Sequence, residues 1–145
     1  AQYSEKGYLS FDIKSNGSKE TFATIVSTHL QHSEIPQEAT DDEKEARSKQ
    51  LNKIANHIQN KSSLGKAVVF TGDLNLEENE LETFFTNNNV DWLHRDPSVK
   101  GRATWGGDSW CAKLMDKKAS DPLVLDYTLI AGNASEIATE IQDTG

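Results

Sequence analysis

The chain has 145 residues, a net charge of −8, and 35% hydrophobic against 26% charged residues. That length suits one domain with one core and is short for two, while the acidic balance works against binding a bare polyanion such as DNA. The single cysteine, Cys111, makes no internal disulfide, no Cys/His spacing resembles a zinc site, and no apolar stretch approaches a membrane span. The start, AQYSEKGYLS, lacks the layout of a signal peptide. The chain therefore reads as soluble, with its compartment, secretion included, left open.

From Gly7 to Leu30 the pattern predicts a hairpin. "GYLSFDIK" puts Leu9, Phe11 and Ile13 on one face of a strand, Asn16-Gly17 is a turn dipeptide, and "ETFATIVSTHL" supplies the second arm. Gln31 to Ala39, with Pro36 and no clear period, predicts a loop. Thr40-Asp41-Asp42-Glu43 fits a capping box, and Leu51, Ile54, Ala55 and Ile58 carry a helix to about Asn60. Arg47 lies on that apolar stripe. It requires a carboxylate or a backbone oxygen there, or else a snorkelling stem paired to Glu43.

"KAVVF" is a continuous apolar run, the form of a central strand covered on both faces. A second helix is predicted from about Glu78 to Thr86, with Leu81, Phe84 and Phe85 inside and "NNN" as its end. Val90 to Pro122 holds three tryptophans and no period, which predicts irregular loops with short strands. "LVLDYTLIA" from Leu123 reads as the last strand, with an acid, Asp126, inside an apolar run. No repeat or linker divides the chain.

Three stretches carry candidate chemistry. In "FTGDLN", Gly72 lets the chain turn and a ligand approach closely. If Asp73 to Asn75 stays extended, both polar side chains point one way and Leu74 returns to the core. Asp73 then takes a proton from water or holds a hard cation, and Asn75 orients a nucleophile or a phosphoryl oxygen. A capped Asx-type turn is the equally weighted alternative. In "STHLQ", His29 is placed to act as a hydrogen-bond donor or general acid, although a strand-end histidine is more often structural. His32, His57 and His94 are read as surface or packing residues. Asp126, as an ionised carboxylate in an apolar strand, needs a partner: a histidine it orients, or a salt bridge to Arg47 or Arg102. Trp105 of "ATW" is a wall of a site or a core residue.

Taken in order, "STHLQ", "FTGDLN", "ATW" and "LDYTLIA" resemble the endonuclease/exonuclease/phosphatase superfamily, the deoxyribonuclease-like fold of metal-dependent phosphoesterases. With the Arg47 and Gln50 "R..Q" helix, the chain is most similar to the bacterial and neutral sphingomyelinases. The resemblance implies a four-layer α/β sandwich, two mixed or antiparallel sheets face to face with helices outside, and a Mg²⁺- or Mn²⁺-dependent phosphodiesterase acting by water attack at phosphorus. It makes His29 the group that stabilises or protonates at the phosphorus centre, Asp73 the base and a metal ligand, and Asn75 the phosphoryl anchor. Asp126 becomes the partner of a second histidine, and Gln31 and Trp105 contact substrate. The expected partner is a phosphodiester, such as a membrane lipid headgroup, with nucleic acid disfavoured by net charge.

The family's early asparagine and metal-ligating glutamate have no counterpart here, nor does its closing serine-aspartate-histidine motif. Residues 1–145 are thus expected to be the central and later portion of one larger domain, weakly active or inactive alone. A nuclease, deadenylase or inositol polyphosphate phosphatase of the same superfamily is the runner-up, disfavoured because few basic groups lie near the motifs. The third alternative is a non-catalytic binding module.

Overall fold

Tyr8–Lys14 (β1) and Thr21–His29 (β2) pair antiparallel as the hairpin pattern predicts, with Gly17 at φ 80° in the turn between them. They belong to a computed structural model that describes residues 6–34, 38–105 and 122–134. The expectations for Pro36, for Trp110 and Cys111, and for the chain after Ala134 lie outside the described residues.

The predicted capping box is complete. The Glu43 amide donates to Thr40 Oγ1 at 3.3 Å and the Thr40 amide to Glu43 Oε2 at 2.8 Å, and the helix Asp41–Ser62 (α1) follows. Asp41, Asp42 and Glu43 lie in its first turn, where the helix dipole favours negative charge. It ends at Ser62 rather than near Asn60, because the Ser62 and Ser63 hydroxyls bond the Gln59 and Asn60 carbonyls of the final turn. Ala67–Asp73 (β3) is the central strand, and Glu78–Asn87 (α2) is the second helix, closed by Asn88. The stretch that follows holds only the short strand Leu93–Arg95 (β4) and a single turn of 3₁₀ helix at Pro97–Val99.

The last strand, β5, spans Asp126–Gly132 and not Leu123 onward. Leu123 forms an isolated bridge with Trp105, the Leu125 carbonyl accepts the Leu74 amide at 2.8 Å, and Thr104 Oγ1 accepts both the Leu125 and Asp126 amides at 3.0 Å. Those bonds occupy the backbone before the ladder begins. Asp126 is therefore the first residue of β5 and exposed, not an acid inside a buried strand.

The strands form one mixed sheet in the order β1-β2-β3-β5-β4, with β2 and β3 parallel and the other pairs antiparallel. Register aligns Val26, Phe70 and Leu129 across β2, β3 and β5 on the face that packs with Leu51, Ile54 and Ile58 of α1 and Leu81 and Phe84 of α2. No helix among the described residues packs on the opposite face, which carries Phe11, Ile25, Val69 and Ile130 in one row. β3 is therefore helix-covered on one face only, with Val68 and Phe70 buried and Ala67 and Val69 half-buried.

β1 shows the same polarity in an extreme form. It turns Ser10 and Asp12 toward α1, where they meet His57 Nε2 at 2.8 Å and Lys61 Nζ at 3.2 Å. Its apolar side, with Leu9 71% and Phe11 51% exposed, faces away from the helices.

Candidate active site

His29 is the last residue of β2, Asp73 the last of β3 and Asp126 the first of β5. Because β2 and β3 run parallel and β5 runs against them, all three fall at one edge of the sheet. The register pairs His29 with Asp73 and Asp73 with Asp126 in a single row on the open face. Behind it lies a row of hydroxyls, Ser27, Thr71 and Thr128, with the two threonine oxygens 3.3 Å apart, and behind that the apolar row of Ile25, Val69 and Ile130. The open face thus grades from apolar to ionisable along the strands.

His29 Nε2 lies 3.7 Å from Asp73 Oδ2, an ion-pair separation rather than a hydrogen bond, and both side chains reach solvent. The other carboxylate oxygen, Oδ1, accepts the Asn75 amide at 2.9 Å, with Asn75 at φ 52°. Of the two readings of "FTGDLN", the Asx turn is present through Asp73 Oδ1, while Oδ2 is left facing the histidine. The segment is not extended, since Asn75 occupies the left-handed region that Asn tolerates. Leu74 returns to the core with no exposure.

Gly72 makes room for the neighbouring strand. It lies at φ 151°, and a Cβ there would sit 2.0 Å from the Thr28 carbonyl oxygen. Only glycine lets β2 and β3 close together beside the row.

Asn75 is buried. Its Nδ2 donates to the Leu30 carbonyl at 3.0 Å, and its Oδ1 lies 3.5 Å from His32 Nδ1. His32 stays exposed, as its spacing suggests, and its ring lies beside the motif. Gln31 donates its amide to Gln50 Oε1 at 3.0 Å, and its carbonyl accepts from Arg47 at 3.3 Å. Its own Oε1 is buried with no hydrogen-bond partner among the described residues. The "R..Q" pair therefore holds the backbone that follows His29. Arg47 has no exposed surface, and its partner is Glu80, bound through two bonds of 2.8 Å, with Ser33 Oγ at 2.5 Å. Neither Glu43, which is committed to the cap, nor Asp126 takes that role.

Asp126 lies at the surface, yet its carboxyl pKa is raised above the ordinary 3.8. Partial desolvation by its surroundings is the largest cause, the Thr104 hydroxyl opposes it, the Asp73 charge adds to it, and His29 offsets part. A cavity of about 290 Å³ opens beside Asp126, lined by Thr71, Thr104 and Thr128 and by Arg95 and Arg102. Arg95 bonds Glu78 and the Val99 carbonyl and stacks on Tyr127 with its guanidinium carbon 5.1 Å from the ring centroid. The motifs are thus less poor in basic groups than their linear order suggests.

Trp105 does not line that cavity. Its backbone bridges Leu123, and it is Thr104 beside it that holds the start of β5. Tyr127 was also easy to overlook. Its buried hydroxyl lies 3.0 Å from both the Leu76 and Val124 carbonyls, tying β5 to the segment after β3, and burial pushes its pKa far up.

No group of three or more His, Cys, Asp or Glu side chains among the described residues could hold a metal ion. The hard-oxygen donors of the row, Asp73 and Asp126, are at most part of a divalent-cation site. No helix among the described residues is long and apolar enough to cross a membrane.

No family model and no curated protein matches the sequence. Solved structures do. A β-hairpin deletion mutant of beta toxin from Staphylococcus aureus is 21% identical with a TM-score of 0.67, over 97% of this chain and 51% of that one. SmcL is 22% identical with a TM-score of 0.65, over 90% and 44%. A beta toxin variant from Staphylococcus aureus with bound magnesium ions is 19% identical with a TM-score of 0.60, over 91% and 44%. The chain spans about half the length of each. At these identities the likeness establishes the fold alone: the chain has an α/β fold shared with the beta toxin and SmcL structures.

Proposed function

We propose that this chain is the central and later portion of a divalent-metal-dependent phosphodiester hydrolase, sphingomyelinase-like in its motifs, that attacks phosphorus with water. The observation that carries the reading is the single row of His29, Asp73 and Asp126 at the sheet edge. In it Asp73 Oδ2 is free of the Asx turn and takes the proton of the attacking water. His29 donates toward the phosphoryl or leaving-group oxygen, and Asp126 orients a second histidine. Asn75, with Nδ2 committed to Leu30, acts on the site by holding the backbone around His29 and Asp73. Gln31 does the same from the other side, and Trp105 contacts substrate from outside the cavity. Bound Mg²⁺ or Mn²⁺ would neutralise the phosphate charge. Asp73 would be one ligand, and the main carboxylate ligand belongs to another part of the domain. The open apolar face, together with coverage of about half of similar structures, supports reading the chain as one sheet of a two-sheet sandwich.

One observation favours a second reading. Arg95 and Arg102 line the cavity next to Asp126, which suits a substrate with a further anionic group, as a nuclease or inositol polyphosphate phosphatase would take. The test is hydrolysis of sphingomyelin, single-stranded DNA and an inositol polyphosphate with Mg²⁺ by this chain and by its longest encoded form. Sphingomyelin turnover by the long form, lost in Asp73→Ala and His29→Ala, is the expected result. Turnover of one of the other substrates moves the assignment to the second reading. Silence of the long form on all three overturns the enzyme reading in favour of a binding module.

A further inference from the structure

A second cavity, of about 310 Å³, opens on the helix side of the sheet between the start of β1, the end of β2 and α1. It lies at the same end of the strands as His29 but on the opposite face, because Thr28, which lines it, points the other way from its neighbour. Three lysines, Lys6, Lys49 and Lys53, line it and, among the described residues, no carboxylate does. In a chain of net charge −8 that is a local inversion of sign.

The lysines are available. Lys6 and Lys53 have no side-chain partner among the described residues. Lys49 meets Glu45 at 2.5 Å in an i,i+4 pair with both side chains well over half exposed, a kind of pair that solvent makes weak. Gln50 adds an oriented donor: its Oε1 is held by the Gln31 amide, which leaves its NH₂ group to the cavity. Leu30 and Ile54, 1% and 2% exposed, form the floor, and low-polarity backing strengthens the field of charges above it.

We propose that this cavity is an anion site that takes a phosphate group through Lys6, Lys53 and the Gln50 amide. Ammonium groups on flexible stems over a fixed amide donor match the compact, doubly charged oxygens of a phosphate monoester. That chemistry is offered by free phosphate esters and by headgroups of anionic lipids. Bound there, either would sit within one residue of the catalytic row along β2. The site does not depend on the hydrolase reading, because it is read by binding alone.

The experiment titrates the 145-residue chain with inorganic phosphate at constant ionic strength, following amide NMR shifts. It adds co-sedimentation with phosphatidylcholine vesicles with and without phosphatidic acid. Wild-type binding with shifts at Thr28, Leu30 and Gln50 is expected, weakened at least ~10-fold in the Lys6→Gln/Lys53→Gln double variant, since each lost charge-assisted bond is a large share of so small a ligand's affinity. The Lys6→Arg/Lys53→Arg variant keeps the affinity within ~3-fold by retaining charge. Lys100→Gln, which removes an exposed lysine paired with Glu82 elsewhere, leaves it unchanged. Binding of phosphatidic acid vesicles alone assigns the site to a lipid, and binding of free phosphate alone to a soluble ester. The proposal is overturned if wild type binds neither, if the double variant binds as wild type, or if Lys100→Gln weakens binding as much.

Discussion

The two faces of the sheet are built from the same strands and have opposite characters. On the helix face, Val26, Phe70 and Leu129 lie under α1 and α2 with at most 2% exposure. On the open face Leu9 and Phe11 keep half or more of their surface in water, and the rows end in His29, Asp73 and Asp126. A strand with apolar residues on both sides needs a covering layer on both sides. The contrast teaches that the buried core of this chain lies on one face, while the other keeps apolar and ionisable side chains open to solvent.

A pair of matched substitutions breaks or sharpens that contrast most directly. Phe70→Ala removes a ring that is 2% exposed and should cost roughly 3–5 kcal/mol of unfolding free energy in urea, whereas Phe11→Ala, 51% exposed, should cost under about 1 kcal/mol. Equal losses would mean that the open face is already packed. Next in size is the ion pair that holds α1 to α2. Glu80→Ala leaves the fully buried Arg47 unpaired and should cost about 3 kcal/mol, while Arg47→Met, which removes the charge itself, should cost distinctly less. If the two variants melt alike, the guanidinium is not the costly group.

The smallest effect is a pH dependence at the open edge. A carboxyl whose pKa is higher in the folded than in the unfolded state keeps its proton longer when folded, so stability is lost as pH rises from about 3.8 through the raised value. Asp126→Asn should therefore be slightly more stable than wild type near neutral pH and equal to it well below pH 3.8. A variant less stable than wild type at pH 7 would show that the Asp126 carboxylate is held by a favourable partner and not disfavoured by desolvation and by the Asp73 charge.

Local patterns carried much of the fold. The Asn16-Gly17 turn, the capping box at Thr40 and the apolar run of β3 each produced the element they imply, because each depends on residues within a few positions. The start of β5 was misread because its boundary depends on Thr104, a residue far away in sequence that occupies the Leu125 and Asp126 amides. At the candidate site, His29 and Asp73 were legible from strand-end position, whereas Asp126 was picked out as an acid in an apolar run whose start lies at that residue and not before it. The contact of His32 with Asn75, the Tyr127 hydroxyl bond to Leu76 and the Glu80 partner of Arg47 were not legible, since each spans 33 or more residues.

By itself the sequence determined which elements form and which residues are candidates for chemistry, because side-chain type, period and capping are properties of neighbours along the chain. Only the tertiary structure decided that His29, Asp73 and Asp126 share one row, that Asp73 divides its two oxygens between a turn and the histidine, and that α1 and α2 pack on the same face of the sheet. Those facts follow from strand order and register. They are set by which strands pair, and pairing is chosen by burial of the whole core and not by any one segment.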